Sequence, residues 1–368
     1  MKITAIEICP SSIKLKDPFV ISLGVLEHAQ NVYIIIHTNT GLIGYGECSP
    51  FLSINGESMD TCVVVGGYLA NSLIGNDPLQ IEVCSAKMDQ VIFGNSSIKS
   101  AFDIALNDIA AQHAKLPLYE FLGGSNDRNY FTDYTVSLGE ASKMATDALD
   151  IVEKGFKCIK IKLGESGAAD LERIKAIRAA IGMDIPLRLD ANQGWHKEEA
   201  INLLKDLESY NIQYCEEPIT RGEFRALSAI KMHSSIPIMA DESCCTPSDA
   251  QKLIDFNSCD LFNIKLGKSA GIFNAQKILR LAEQHHIDVQ IGGFLESRLG
   301  FTASAHLALS SKAVKYIDFD TPLMFVEDPV QGGIQYGEHG EIILPEGIGL
   351  GASIDQAYLN NLQRIIFQ

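Results

Sequence analysis

The sequence predicts an α/β fold: a (β/α)8-type TIM barrel with an α+β capping domain formed by the N-terminal region and the C-terminal tail. Three observations carry this. Eight short β-rich runs recur about every 25 residues beyond residue 130, with amphipathic helical stretches between them. The first hundred residues follow a different order, strands first and helices after. The 368 residues also exceed the roughly 250 that such a barrel needs, which leaves material for a second layer.

The elements follow in chain order. Met1 to Ile8 alternates polar and apolar side chains as a strand does and lacks the continuous apolar core of a secretory leader, so the mature chain is expected to begin here. Asn31 to Thr38, a turn at Asn39 to Gly41, and Leu42 to Glu47 read as a hairpin. Ser97 to Gln112 has apolar residues at helical spacing, and Pro117 to Leu122 closes at Gly123-Gly124. That pair sets the expected division into a cap over 1–125, a barrel over 126–327 and a final segment over 328–368. The final segment contains the hairpin-like Glu341-Ile342-Ile343-Leu344 and is expected to return to the cap. The barrel runs are Asp133–Ser137, Cys158–Lys162, Pro186–Asp190, Gln213–Glu216, Pro237–Ala240, Leu261–Lys265, Asp288–Ile291 and Lys315–Phe319. A doubly wound sheet shares this local pattern, but a count of eight favours the barrel.

Composition narrows the partners. With 46% hydrophobic and 21% charged residues, disordered, collagen-like and coiled-coil readings are excluded. Thirty basic against 46 acidic residues give a formal charge of −16, which repels a phosphate backbone, so no nucleic acid is expected as partner. No apolar run approaches the roughly 18 residues of a membrane span. Nine cysteines without a C-x-x-C pair read as reduced thiols, and the expected location is cytoplasmic. A homo-oligomer is compatible with all of this.

The ionisable residues fall at the C-terminal ends of the barrel runs, on the face where such barrels build active sites. Lys160 and Lys162 end the second run, Asp190 the third, Glu216 and Glu217 the fourth, Asp241 the fifth, Lys265 the sixth, and Asp318 with Asp320 the eighth. A single charge at a strand end is ordinarily a solvated loop residue. Five consecutive strands each ending in a carboxylate or lysine should instead converge in one partly buried mouth. Asp190, Glu216 and Asp241 supply three oxygen ligands of the hard type that Mg2+ prefers, whereas zinc would call for histidine or cysteine. Lys162 and Lys265 flank that trio and should face each other across the metal. One can then take a proton from carbon and the other return it on the opposite side, which inverts a stereocentre. Burial favours the neutral amine such a base needs and the carboxylates oppose it; sequence leaves that balance open.

With Lys160-Ile161-Lys162, Asp190-Ala191-Asn192, Glu216-Glu217-Pro218, Ala240-Asp241-Glu242-Ser243 and Asn263-Ile264-Lys265 in place, the chain resembles the enolase superfamily and its muconate-lactonizing subgroup. The likeness covers almost the whole chain, including Gly44-Tyr45-Gly46-Glu47. It implies Mg2+ ligation by Asp190, Glu216 and Asp241, acid/base roles for Lys162 and Lys265, charge support from Lys160, and an outer position for Glu217. Asp318-Phe319-Asp320 is similar to the D-x-D of the dipeptide epimerases, where both acids hold the free ammonium of a dipeptide substrate; Thr135 matches a substrate-contacting position. Two acids one residue apart on an extended segment point the same way.

Ala-Glu dipeptide epimerases often carry an arginine where Gly24 stands. Glycine cannot pair with a glutamate side chain, so the resemblance implies a dipeptide with a small or apolar second residue, such as Ala-Ala. A nearby residue such as Arg298 is a candidate to serve in place of that arginine. Gly293, Phe294 and Glu296, after the seventh run, complete the candidate contacts. An L-Ala-D/L-Glu epimerase, an N-acylamino-acid racemase or cycloisomerase on the same metal site, and a Schiff-base aldolase using Lys265 are the rival readings.

Overall fold

The computed structural model of the protein describes residues 1–368. Its N-terminal layer is a four-stranded antiparallel sheet in the order Ile365–Phe367, Ile3–Ile21, Gly24–Thr38, Ile43–Cys48. The helices Met59–Leu73, Ile81–Val91 and Ser96–Ala114 pack against it. Gly44 and Gly46 let strand and helix touch backbone to backbone, since an added Cβ would stand 2.1 Å from the Ala105 carbonyl oxygen and 1.9 Å from that of Ala101.

The central hairpin is longer than its expected parts. Beyond Ile8 the run Ser11 to Lys16 buries alternate residues, Ser11, Ile13 and Leu15, and exposes the rest. A register shift between Lys14 and Phe19 absorbs Asp17-Pro18. Pro10, Pro18 and the interspersed lysines mask this strand in the sequence. The extension forms an arm that reaches the barrel mouth: the Ser22 hydroxyl donates to the Asn192 carbonyl at 3.2 Å, and Leu138 N–H to the Val20 carbonyl at 2.9 Å.

The second layer is an eight-stranded parallel sheet in sequential order: Tyr134–Val136, Ile159–Lys162, Leu187–Asp190, Ile212–Glu216, Ile238–Ala240, Leu261–Lys265, Asp288–Gly292 and Val314–Ile317. Most of its residues are buried, as expected of strands covered on both faces. The predicted fold class holds, with one difference. Helices follow the first seven strands, but the eighth leads into a single 3-10 turn, Thr321–Met324. Pro322 and Pro329 leave no room for a helical period there. No ladder joins the first and eighth strands. Side chains close that seam instead: Phe319 N–H donates to Thr132 Oγ1 at 2.8 Å and Thr135 N–H to Asp320 Oδ2 at 2.7 Å.

Carboxylates from the N-terminal layer fix it to the barrel by capping barrel helices. Glu47 accepts from Ser297 and Gly300 N–H, each at 2.8 Å, at the start of Arg298–Leu309. Asp103 accepts from Ile272 and Phe273 N–H at the start of Ile272–Gln284. Burial pushes both acids up to about 7. After the barrel, Glu341–Ile343 pairs with Gln335–Tyr336 and Tyr130–Phe131, and Ile365–Phe367 joins the N-terminal sheet. All nine cysteines are free, and no helix is long and apolar enough to cross a membrane.

Candidate active site

Parallel register sets the site. Lys162 lies opposite Asp190 and Asp190 opposite Glu216, so neighbouring strands present their terminal charges at one level. Side chains two apart on a strand share a face, which directs Lys160 inward beside Lys162 and Asn263 inward beside Lys265. The Lys160 ammonium stands 2.8 Å from Asp318 Oδ2, 2.9 Å from Glu216 Oε2 and 3.1 Å from Asp190 Oδ2. Lys162 Nζ donates to Asp190 Oδ2 at 2.6 Å and to Asn192 Oδ1 at 3.2 Å. Across the barrel, Lys265 Nζ is 2.6 Å from Asp241 Oδ2. Lys268 reaches Asp241 Oδ1 and the Asp241 carbonyl, and the Asn263 carbonyl at 2.8 Å, while Asn263 Nδ2 donates to Glu216 Oε1 at 2.8 Å.

Burial and charge oppose each other throughout. Burial alone would raise Asp190, but Lys162 and Lys160 outweigh it and hold the carboxyl at about 2. Asp241 is likewise held low, burial being overcome by Lys265 and Lys268. Glu216 goes the other way, up to about 7, because burial and Asp190 exceed the pull of Lys160. For Lys265, burial favours the neutral amine, yet Asp241 and Glu216 win and raise it. The balance left open by the sequence therefore falls, for this lysine, on the side of the ammonium. Asp318 is held low by Lys160 against its burial, whereas burial and the Asp318 charge push Asp320 up to about 7.

Asp190, Glu216 and Asp241 are all fully buried. As the side chains stand, no three acids close into a ready metal cage, because the oxygens are drawn onto ammonium groups. Glu216 Oε2 nevertheless accepts no well-aligned hydrogen bond, even with an ammonium 2.9 Å away. An all-oxygen trio that includes a buried oxygen accepting no well-aligned hydrogen bond fits a hard divalent cation and not zinc. Glu217 does not belong to the trio. It accepts from Asp241 N–H at 2.7 Å and from the Ser243 hydroxyl at 2.5 Å, and so braces the strand end from behind.

Above these acids lies a cavity of about 40 Å3. Thr135, Lys160, Lys162, Lys265, Gly293, Phe294, Asp318 and Asp320 all line it, as the sequence suggested. Three suggestions need correction. Gly24 is exposed in the hairpin turn, away from the cavity, because the arm enters the mouth through Phe19 and Ile21. Glu296 turns back to accept the Phe294 N–H and packs where a Cβ on Gly300 would meet it at 2.8 Å, so it supports the loop from behind the cavity. Arg298 is consumed by Asp328 and by carbonyls of the C-terminal segment, including Ile334 at 2.9 Å. Asp318 and Asp320 also lie past the eighth strand, which ends at Ile317, so strand alternation does not aim them; both face the cavity, with Asp320 in the barrel seam.

Sequence reasoning missed Asn263, Lys268 and the apolar lining residues Phe19, Ile21, Phe51 and Ile54. Asn263 could have been found from its position two residues before Lys265 on the same strand. Lys268 could not, because the short helix Leu266–Ser269 that turns it back is invisible in the pattern. Replacing Lys268 with methionine leaves Asp241 Oδ1 buried without its partner, and should lower the unfolding free energy by roughly 3–5 kcal/mol in a urea titration.

Comparison with known proteins adds a family. Residues 3–123 match the mandelate racemase/muconate lactonizing enzyme N-terminal domain, and residues 143–358 match the enolase C-terminal domain-like model. The D-Ala-D/L-Ala epimerase of Cytophaga hutchinsonii is 59% identical over 365 residues, covering 99% of each chain. A crystal structure of dipeptide epimerase from that organism, complexed with Mg and the dipeptide D-Ala-L-Val, has a TM-score of 0.99 at 59% identity and covers 100% of both chains. The substrate-liganded L-Ala-D/L-Glu epimerase of Bacillus subtilis has a TM-score of 0.93 at 38% identity, over 96% of this chain and 99% of that one. The chain belongs to the mandelate racemase/muconate lactonizing enzyme family of the enolase superfamily, on the branch that holds its dipeptide epimerases.

Proposed function

We propose that this protein is a Mg2+-dependent dipeptide epimerase that inverts the α-carbon of the second residue, acting on dipeptides whose second residue is small or apolar. The observation that carries the reading is the placement of Lys162 and Lys265 on the second and sixth of eight strands, on opposite sides of one cavity. A substrate α-carbon between them presents one face to each. Asp190, Glu216 and Asp241 would hold Mg2+, which when bound supplies Lewis-acid stabilisation of the substrate carboxylate. The lysine that stands neutral removes the α-proton, and the C–H electron pair moves into the carboxylate. The opposite ammonium then delivers its own proton to the other face, and the two lysines have exchanged protonation states. Asp318 and Asp320 would receive the N-terminal ammonium, and Lys160 supports charge within the cage. The free thiols suit a cytoplasmic location, and on this reading the chain divides into a cap over 1–125, a barrel over 126–327 and a segment over 328–368 that returns to the cap.

The preference for an apolar second residue rests on the cavity's cations. These are Lys160, Lys162 and Lys265, and each already has a carboxylate within 2.8 Å. An acidic side chain would find no free counter-charge, whereas Phe51, Ile54 and Phe294 offer apolar contact. The names of the Cytophaga relative and of a hydrophobic dipeptide epimerase from Enterococcus faecalis, 38% identical over 96% of this chain, support the same direction. We expect kcat/KM for Ala-Ala or Ala-Val to exceed that for Ala-Glu at least about tenfold. The reverse order overturns the preference. Acetylating the substrate amine should abolish turnover; full activity on the acetylated dipeptide would favour the N-acylamino-acid racemase reading instead.

A further inference from the structure

Where a helix after the eighth strand would stand, the barrel wall opens into a crevice of about 770 Å3. One side is the first barrel unit, strand Tyr134–Val136 and helix Ala141–Glu153; the other is the chain after the eighth strand, at Leu323, Met324 and Tyr336. Its size is that of an ordinary small-molecule pocket. The active-site cavity next to it, at about 40 Å3, is much the smaller of the two. Two residues, Phe19 and Thr135, line both spaces and so form the wall between them.

This wall stands beside the acids expected to anchor the substrate amine. Thr135 N–H donates to Asp320 Oδ2 at 2.7 Å, and Asp318 and Asp320 line the cavity on the same side. In a dipeptide the first side chain is borne on the carbon next to the ammonium, so an ammonium held by Asp318 and Asp320 brings that side chain within reach of this wall. Thr135 is buried in a barrel strand and tied into the seam, which leaves it no freedom. Phe19 is half-buried, sits on the hairpin arm just past its register shift, and holds its ring 5.7 Å from the Lys162 ammonium. We propose that Phe19 is the residue that sets the size of the first amino acid of the substrate, by closing the catalytic cavity off from the crevice. Without the ring, a large apolar first side chain extends over Pro18, Val136 and Met144 of the crevice.

This inference rests on the dipeptide epimerase reading. Its test compares Ala-Val with Leu-Val, which differ only in the first residue, and Ala-Val with Ala-Ala, which differ only in the second. For Phe19→Ala, the ratio of kcat/KM for Leu-Val to that for Ala-Val should rise at least about tenfold over wild type, with a smaller rise for Phe19→Leu. The Ala-Val to Ala-Ala ratio should stay unchanged. An unmoved first-residue ratio in both variants overturns the proposal, as does a change confined to the second-residue ratio. Loss of all turnover in both variants would assign the ring to the chemistry of Lys162 and also overturn it. Wild-type protein inactive on every dipeptide would instead sink the epimerase reading itself.

Discussion

Methionine in place of Lys265 is expected to slow epimerisation by about 10³-fold or more, and methionine in place of Lys162 to do the same. Neither lysine can stand in for the other, because each reaches only one face of the α-carbon. The variants should therefore differ in what survives. Each keeps one base, so each should still exchange the α-hydrogen of a single diastereomer with solvent deuterium while failing to interconvert the two. Methionine preserves much of the buried stem, and Asp241 keeps Lys268 when Lys265 is lost, so the fold should persist. Chiral chromatography with mass spectrometry reads both quantities. Full epimerisation by either variant contradicts two-base transfer.

Withdrawal of Mg2+ should have an effect of similar size. A chelator is expected to abolish turnover and added Mg2+ to restore it, since the substrate carboxylate would otherwise build negative charge in a cage that already holds Asp190, Glu216, Asp241 and Asp318. Glu216→Gln separates binding from chemistry. It removes an anionic oxygen from the proposed trio and should weaken Mg2+ binding at least about 100-fold by calorimetry without substrate. Unchanged Mg2+ affinity in that variant would remove Glu216 from the ligand set. Activity that persists in chelator would count against the metal altogether and favour a Schiff-base route through Lys265.

The strands most legible in the sequence were those buried on both faces. Leu261–Lys265 has the same bounds in sequence and structure, and six others shift by one residue at one or both ends. Those runs are short and largely buried, and most of them stop at or just before a charge, so pattern and burial agree. The eighth is harder to read: it begins one residue earlier and stops two earlier than expected, because Phe319 is apolar and buried yet lies beyond the ladder. The hairpin arm was hidden for the opposite reason, its two prolines and exposed lysines being the marks of a loop.

The site divides in the same way. Side chains at strand ends could be placed from position alone, and Asp190, Glu216, Asp241, Lys160, Lys162 and Lys265 do come together. Contacts made by connecting segments could not. Glu296 reads as a pocket residue until its carboxylate is seen bonded to its own loop, and Phe19 reads as cap until the arm is seen lying over Lys162. The missing eighth helix and the crevice in its place have no sequence signature beyond Pro322 and Pro329.

Incubation of the wild-type protein with Mg2+ and Ala-Val in deuterated water tests the central claim most directly. The account predicts both configurations at the second residue, one deuteron at that α-carbon in each inverted product, and none at the α-carbon of the first. Deuterium at the first residue, or inversion that retains the original hydrogen throughout, would contradict it.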